Sequence, residues 1–309
     1  MINRRGRRQF LGAALASLAG TVLSPRARAA GAGAPLSQLA IDDALTLIQG
    51  AGGNVLLLRT ADGGVLVDGG TAAMSASLLA RVHALLGRMP VAALFNTHWH
   101  PEQTGSNAAL GRRGAKIIAH ENTKGWLGTS FYVDWQDRSY VPLPPVARPN
   151  DTFYTTGRLQ QGGRTIEYGH LPAAHTDGDI YVRFVESNVI AVGGALAVGR
   201  YPQMDYTTGG WLGGVVEASQ LLLSMSDAQT RLVAADGAVQ SRADLQAQLD
   251  MARVARERIA EAMKRGFSVD DMLAQGLTKD FDPAWGDPRF FLRSSYRGLW
   301  GHVRELGAI

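Results

Sequence analysis

The feature that most constrains this sequence is a pair of histidines, His98 and His100, directly after the apolar run Val91–Phe95. The run predicts a buried strand, and residues two apart at its end project to the same side. The following loop carries Glu102 and Gln103, which it can turn toward the same point. Because imidazole is a common metal ligand, the pattern predicts a metal site at the end of this strand. The alternative is two imidazoles held by backbone groups.

A third candidate ligand is His175. It lies in the glycine-containing segment Ala173-Ala174-His175-Thr176-Asp177-Gly178-Asp179, before another apolar run at 180–185. A His-x-His pair with a further histidine in such a turn favours a three-histidine metal site over isolated, packed histidines.

Composition and charge limit the classes of function. With 309 residues, the chain can bury one large core or two modest ones. The formal net charge is +4, but residues 1–29 contain six arginines and no acid, so the remainder carries a net charge of −2. A slightly acidic chain lacks the basic surface on which nucleic-acid binding depends, and we expect no nucleic-acid partner. The absence of cysteine excludes disulfides and thiolate ligands.

Residues 1–29 have the pattern of a twin-arginine signal peptide. Arg7 and Arg8 precede a mildly apolar stretch at 11–23, and Ala27-Arg28-Ala29 fits a small-residue cleavage site before Ala30. This pattern predicts export to the periplasm by the twin-arginine machinery, a route that carries folded proteins. A membrane anchor is the alternative, but the apolar stretch is shorter than the roughly 20 residues that span a bilayer, so we expect no stable anchor.

The rest of the chain predicts alternating strands and helices. Residues 126–150, with four prolines, predict a long ordered loop. The tail at 266–309 is predicted to pack on the same domain, with dimerisation as the alternative. The predicted strands are 44–48, 54–60, 64–68, 91–96, 116–119, 165–168, 180–185, 189–192 and, last, 230–234, and the predicted helices are 74–86, a short one ending at 110, 211–223 and 241–264.

Over residues 39–245, these motifs resemble the metallo-β-lactamase fold superfamily. The family's His-x-His-x-Asp-His-x-Gly motif corresponds to His98, His100, Glu102, Gln103 and Gly105, and its early strand ends at a structural aspartate that matches Asp68. The resemblance implies an αβ/βα four-layer sandwich of α/β class over residues 30–265, with a C-terminal helical extension. It also implies a metal cleft at the strand ends on one edge.

The chain departs from the family pattern at the second metal site. Family members with two zinc ions hold the first with three histidines, and these survive as His98, His100 and His175. The ligands of the second ion are replaced. The replacements are Glu102 for Asp, Gln103 for His, Ala195 for the bridging Asp, and Asp236 for the last His. The resemblance therefore implies one zinc ion rather than a pair.

Three neutral imidazoles leave a zinc ion with its full charge and with one coordination position open for water. The charge lowers the pKa of that bound water to about 7. This predicts zinc-bound hydroxide as the attacking group, with Glu102 as general base; alternatively, Glu102 is a solvent-facing cap of the following helix. Gln103 is expected to be a weak ligand or a hydrogen-bond donor. A further alternative is that Glu102, Gln103 and Asp236 form an all-oxygen pocket for a harder ion.

Other residues carry weaker signals. His170 is expected to be packed or to support the ligands, and Asp68 to support the site from the preceding strand. The segment after Ala195 has a polar and aromatic character that suits either a substrate pocket or a packed loop. Its candidate pocket residues are Arg200, Tyr201, Tyr206 and Trp211.

Two functions remain open from the sequence. The first is a periplasmic metal-dependent hydrolase, with one zinc ion, that acts on an ester, lactone, amide or similar small substrate. The second is a catalytically inactive binding protein that keeps the fold and uses the cleft for recognition. The intact three-histidine set favours the first, and the four replacements favour the second.

Overall fold

The computed structural model describes residues 35–302, so the predicted signal peptide and residues 303–309 lie outside the described part of the chain. The first half of this part builds a mixed sheet whose central strands are parallel. In spatial order its strands are β1 (Ser37–Ala40), β2 (Leu45–Gln49), β3 (Val55–Thr60), β4 (Gly63–Val67), β5 (Val91–Phe95), β6 (Lys116–His120) and β9 (Asp151–Phe153). Between β6 and β9 the chain forms a separate hairpin of β7 (Phe131–Val133) and β8 (Arg138–Tyr140), which is not part of this sheet.

The second half builds another sheet, in which a parallel pair lies among antiparallel neighbours. Its strands, in spatial and chain order, are β10 (Thr156–Gln161), β11 (Arg164–His170), β12 (Ile180–Phe184), β13 (Val189–Gly193), β14 (Arg231–Ala234) and β15 (Gln240–Ser241). A hydrogen bond from the Ile180 amide to the Thr97 carbonyl, 3.0 Å long, joins the two sheets.

Helices cover the outer face of each sheet. Those of the first half are α1 (Ser75–Leu86), α2 (Pro101–Thr104), α3 (Asn107–Gly111) and α4 (Glu121–Leu127). Those of the second half are α5 (Leu212–Ser224), α6 (Arg242–Lys264), α7 (Val269–Ala274), α8 (Asp282–Trp285) and α9 (Arg289–Trp300). The longest, α6, begins at a capping box in which Ser241 and Asp244 satisfy each other's backbone amides.

Three apolar layers hold the molecule together. In the central layer, inward residues of both sheets meet, for example Phe95 with Ile180 and Phe184. An outer layer packs α1 on the first sheet, and a second outer layer packs α5, α6 and α9 on the other sheet. This is the αβ/βα sandwich that the sequence predicts, and the predicted fold class is confirmed.

The C-terminal helices pack on the outer layer of the second sheet. Phe291, Leu292 and Leu299 of α9 are buried in the same apolar cluster as α5 and α6. No helix within residues 35–302 is long and apolar enough to cross a membrane.

The predicted elements differ from the structure mainly at the sheet edges. The strands β1, β9 and β10 were not predicted because they are short or half-exposed edge strands that lack a continuous apolar run. The segment 126–150 is not a plain loop, since it contains the end of α4 and the β7–β8 hairpin. The strand β14 is followed by the short strand β15 and is therefore not the last.

Candidate metal centre

The topology brings three segments to one edge of the sandwich. His98 and His100 follow the carboxyl end of β5, and Asp68 follows that of the parallel neighbour β4. His175 precedes β12, which is antiparallel to β13, so the start of β12 lies at the same edge as the end of β13. The strand ends therefore carry all three histidines to one place.

The three histidines form a compact, buried cluster. The residues His98, His100 and His175 are 1%, 7% and 7% exposed. One ring nitrogen from each lies within 4.8 Å of those of the other two, and Nδ1 of His100 is 3.1 Å from Nε2 of His175. Among the described residues, this is the group of His, Asp and Glu side chains with metal-ligand spacing.

His98 is oriented from the preceding residue. Oγ1 of Thr97 is 3.0 Å from Nδ1 of His98 and donates its own proton to Oδ2 of Asp68 at 2.8 Å. The Nδ1 proton of His98 therefore points to Thr97, and Nε2 is left with a free lone pair. Asp68 has a φ of 64°, a left-handed conformation that Asp tolerates better than most residues, and its carboxylate accepts from both the amide and the hydroxyl group of Thr97.

His100 and His175 are oriented in the same way. Nε2 of His100 is 3.1 Å from Oδ2 of Asp205, and Nδ1 of His175 is 2.6 Å from the carbonyl of Gln203. A carboxylate or carbonyl can only accept, so each of these nitrogens carries the proton. Nδ1 of His100 and Nε2 of His175 are then free to bind a cation. All three rings thus aim an unprotonated nitrogen at one point.

The electrostatics favour the neutral forms of His98 and His175. Burial, followed by the adjacent imidazoles, holds the pKa of His98 well below its ordinary value of 6.5. Burial and His100 likewise lower the pKa of His175. Neutral, oriented imidazoles are what a zinc ion requires, so the residues present fit one zinc ion.

Asp205 remains charged although it is buried. Burial raises its pKa, but hydrogen bonds from His100, Trp135 and Thr208 more than offset this and hold the pKa below its ordinary value of 3.8. Nε1 of Trp135 donates to Oδ1 at 3.0 Å, and Oγ1 of Thr208 donates to Oδ2 at 2.9 Å. A carboxylate behind a histidine ligand fixes its ring and raises its basicity.

The cluster lines a cleft of about 280 Å³. Glu102 lines the cleft from the first turn of α2, with its side chain exposed. Gln103 is 3% exposed and lies beside it. The other lining residues are Gly52, Trp135, Gln136, Gly194, Leu196, Ala197, Arg200, Gln203, Ala235 and Asp236. Both roles predicted for Glu102, proton transfer and helix capping, fit this position.

The comparison with protein families decides the family. The model of the metallo-beta-lactamase superfamily matches residues 48–255, which is more than half of the chain. This protein belongs to the metallo-beta-lactamase superfamily. The predicted family is therefore confirmed.

Solved structures show the same fold at low identity. A metallo-beta-lactamase from Pontibacter korlensis is 20% identical, with 71% of this chain and 99% of that chain covered and a TM-score of 0.58. The DIM-1 metallo-beta-lactamase is 17% identical, with 72% and 100% covered and a TM-score of 0.59. The inverting sec-alkylsulfatase Pisa1 from Pseudomonas sp. is 16% identical, with 85% of this chain but 50% of that chain covered and a TM-score of 0.62.

Glu102, Gln103 and Asp236 all line the cleft of this metallo-beta-lactamase superfamily member, but Asp236 is held by an arginine. Asp236 forms a two-point ion pair with Arg200, at 2.9 Å and 2.7 Å. Ala195 is buried, and its carbonyl accepts from Nε2 of Gln248. Both carboxylate oxygens of Asp236 are bound by Arg200, and the all-oxygen pocket for a harder ion stays a prediction.

Several predicted pocket residues lie elsewhere. Tyr201 and Trp211 are each 5% exposed, and neither they nor Tyr206 line the cleft. Tyr201 stacks on Phe291 and donates a hydrogen bond to Asp282, while Trp211 stacks on His302. These aromatic residues serve the packing of the C-terminal helices. Their assignment to the pocket is wrong, whereas Arg200 does line the cleft.

His170 is a packed imidazole rather than a ligand. Its ring stacks on His120 with centroids 4.0 Å apart, and its Nε2 bonds to the carbonyl of Asp177.

Several residues of the site could not be found from sequence patterns, among them Thr97 and Gln203, which orient His98 and His175. Asp205 and Trp135 lie in loops without a recognisable motif, and Gln136 follows Trp135 in the hairpin. Gln248 looks like a polar residue of an amphipathic helix, yet it is buried and binds the amide of Ala197 and the carbonyl of Ala195. An acidic residue among aromatic ones was the sequence signal that could have marked Asp205 as a site residue. The sequence does not show that the side chain of Asp205 reaches His100.

Proposed function

We propose that the protein is a metal-dependent hydrolase that holds one zinc ion with His98, His100 and His175. The substrate is a small molecule with an ester, lactone, amide or related bond. The enzyme acts in the periplasm. One observation carries the proposal: three buried imidazoles that line one open cleft bring a ring nitrogen each to within metal-ligand spacing of the other two.

The orientation of the ligands supports a functional site rather than packed histidines. Each outward nitrogen has a specific partner, namely Thr97 for His98, Asp205 for His100 and the Gln203 carbonyl for His175. Packing alone does not require all three to present the opposite nitrogen to a common centre. A zinc ion bound there would supply an activated water and would polarise the bond to be cleaved.

The cleft residues supply the remaining chemistry. Glu102 is the carboxylate in the wall, and we assign to it the removal of a proton from water and its return to the leaving group. Gln103 and Gln136 offer side-chain amides that can hydrogen-bond to a substrate. Trp135 lines the cleft from the β7–β8 hairpin and offers an apolar ring surface to a substrate.

The first experiment is elemental analysis of the purified protein beside His98→Ala. We expect about one zinc per chain and its loss in the variant, because the remaining two imidazoles cannot complete the site. A matched control is His83→Ala on α1, which should keep the metal. Absence of metal in the wild type would overturn the zinc proposal.

The second experiment is turnover by the zinc-loaded protein on a panel of esters, lactones and amides. The panel should include a β-lactam and a sulfate ester, because structural neighbours are a metallo-beta-lactamase and a sec-alkylsulfatase. Glu102→Gln should lose activity by about 100-fold or more while it keeps zinc. A zinc-loaded protein that turns over nothing in this panel would favour the alternative of a binding protein.

Export is supported by the twin-arginine pattern of the sequence. The test is fractionation of cells that express the full chain, with a variant in which Arg7 and Arg8 are both lysine. We expect the wild type in the periplasm and the variant in the cytoplasm. Equal distributions of the two would contradict the proposed route.

A further inference from the structure

An arginine and an aspartate form an ion pair in the wall of the metal cleft. Nη1 and Nη2 of Arg200 bind Oδ1 and Oδ2 of Asp236 at 2.9 Å and 2.7 Å. Both side chains are about half exposed, at 50% and 47%, and both residues line the same cleft as the three histidines. A two-point pair of this kind fixes the plane of the guanidinium group.

This ion pair lies beside the altered second-site positions. A Cβ atom placed on Gly53 would lie 3.1 Å from the carbonyl of Ala235 and 3.3 Å from Nε2 of Gln103. The turn that carries Asp236 is therefore next to the amide of Gln103. The two positions are neighbours in space as well as equivalents of ligands in the family motif.

The residues at these positions do not fit a second metal ion. Gln103 has no imidazole, and Ala195 has only a methyl group where a bridging carboxylate is needed. Asp236 has both oxygens bound to Arg200. A second cation would have to displace a guanidinium group, which is always charged, from its carboxylate.

We propose that Arg200 takes the place of the second metal ion as the second positive charge of the site. Asp236 holds the plane of its guanidinium group and competes with a ligand for two of its donors, and the two residues together exclude a second cation. This inference rests on the proposed function, since it deepens the description of the same cleft.

The ion pair leaves Arg200 able to bind a ligand. A guanidinium group has five N–H donors, of which Asp236 uses two. The remaining donors, in a cleft with one bound cation, favour a substrate that carries an oxyanion group near the bond to be cleaved. The substrate class is therefore a small anionic ester, lactone or amide rather than a neutral one.

The first test is the metal content of Asp236→Asn at saturating zinc. We expect about one zinc per chain in both the wild type and the variant. If the wild type binds two ions and the variant one, Asp236 is a metal ligand and the proposal is overturned. Because Asp236 is half exposed, this variant is not expected to impair folding.

The second test is the affinity for acetate, with neutral acetamide as the matched probe. Arg200→Ala should weaken acetate binding by about ten-fold or more, since a charge-assisted contact is lost. Arg200→Lys should restore most of the binding because the charge returns, and Asp236→Asn should strengthen it. Arg113→Ala, at an exposed position outside the cleft, serves as the control.

The outcomes separate this inference from the proposed function. Equal acetate affinities in the wild type and Arg200→Ala overturn the role of Arg200, whether or not the protein hydrolyses a substrate. A metal-free protein overturns the zinc hydrolase, while the acetate titration still measures Arg200. Loss of acetate binding in Arg200→Ala with acetamide unchanged supports the inference.

Discussion

Oδ2 of Asp205 lies 3.1 Å from Nε2 of His100, and the Asp205 residue is wholly buried. The side chains of Trp135 and Thr208 and the backbone amide of Thr207 donate further hydrogen bonds to the same carboxylate. Asp205 therefore connects the β7–β8 hairpin to a candidate metal ligand, although 105 residues separate it from His100 along the chain.

Replacement of Asp205 by Asn should weaken zinc binding by about 10- to 100-fold, as the loss of a carboxylate behind a histidine ligand typically does. The amide preserves the size of the side chain but removes its charge and no longer favours the required tautomer of His100. Competition with a chelator of known affinity measures the effect. Asp151→Asn, which removes a carboxylate from the surface pair with Lys116, is the control. Equal zinc affinities in both variants would refute the role of Asp205.

Gly194 allows the close approach of His175 to the chain after β13. A Cβ atom at Gly194 would lie 2.3 Å from Cδ2 of His175, so Gly194→Ala must displace the ring. We expect at least about a ten-fold loss of zinc affinity, because ligand geometry is fixed by such packing.

The matched control is Gly125→Ala in α4, where a Cβ atom would meet nothing within 4 Å. This change should keep zinc affinity and can stabilise the helix by up to about 1 kcal/mol. Chelator competition and chemical denaturation distinguish the two effects. An unchanged zinc affinity in Gly194→Ala would show that His175 does not depend on this contact.

The sequence was sufficient for the sandwich and for the convergence of His98, His100 and His175. Buried parallel strands have continuous apolar runs, and the ends of such strands share an edge. His98 and His100, directly after β5, are therefore located by strand prediction alone, whereas β12 is antiparallel to both of its neighbours and the convergence of His175 on the pair was implied by the family resemblance.

The residues behind the ligands could not be predicted in the same way. Asp205 and Trp135 occupy loops whose conformation depends on contacts made far along the chain. A loop aspartate near aromatic residues has the same local pattern whether it faces solvent or a histidine. Only the folded arrangement shows that Asp205 is buried against His100.

The errors at Tyr201 and Trp211 have a related cause. An aromatic residue after a buried strand can line a cleft or join a core, and the outcome depends on what covers it. Here Phe291 covers Tyr201 and His302 covers Trp211. The C-terminal segment, which lacked a family motif, therefore decided the positions of both residues.

His120 should make the protein less stable in acid. Its Nδ1 accepts from the amide of Asn122 and its Nε2 bonds to the carbonyl of Tyr154, an arrangement that requires the neutral ring. Burial, followed by His170, lowers the pKa of His120 from 6.5 to about 4. A lowered pKa in the folded state means that stability is full above pH 6.5 and is lost as the pH falls toward 4.

His120→Asn tests this, because Asn can cap α4 without titrating. Between pH 7 and pH 4.5, the free energy of unfolding of the wild type should fall by about 1 kcal/mol more than that of the variant, once solvent screening is allowed for. Denaturant titrations of the metal-free proteins at both pH values give the difference. Parallel pH dependence in the two proteins would show that His120 is not the titrating group.

Tyr201→Phe distinguishes a core residue from a pocket residue. The hydroxyl group of Tyr201 donates to Oδ1 of Asp282 at 2.8 Å and so attaches α8 to the loop that follows β13. Its loss should lower the free energy of unfolding by about 1 kcal/mol, whereas zinc affinity and turnover should stay the same, because the ring keeps its stacking on Phe291. Tyr154→Phe, at a position that is 70% exposed, should leave the free energy of unfolding, the zinc affinity and the turnover unchanged. If turnover changed in Tyr201→Phe while stability did not, Tyr201 would contact the substrate, and the packing role assigned to it would be wrong.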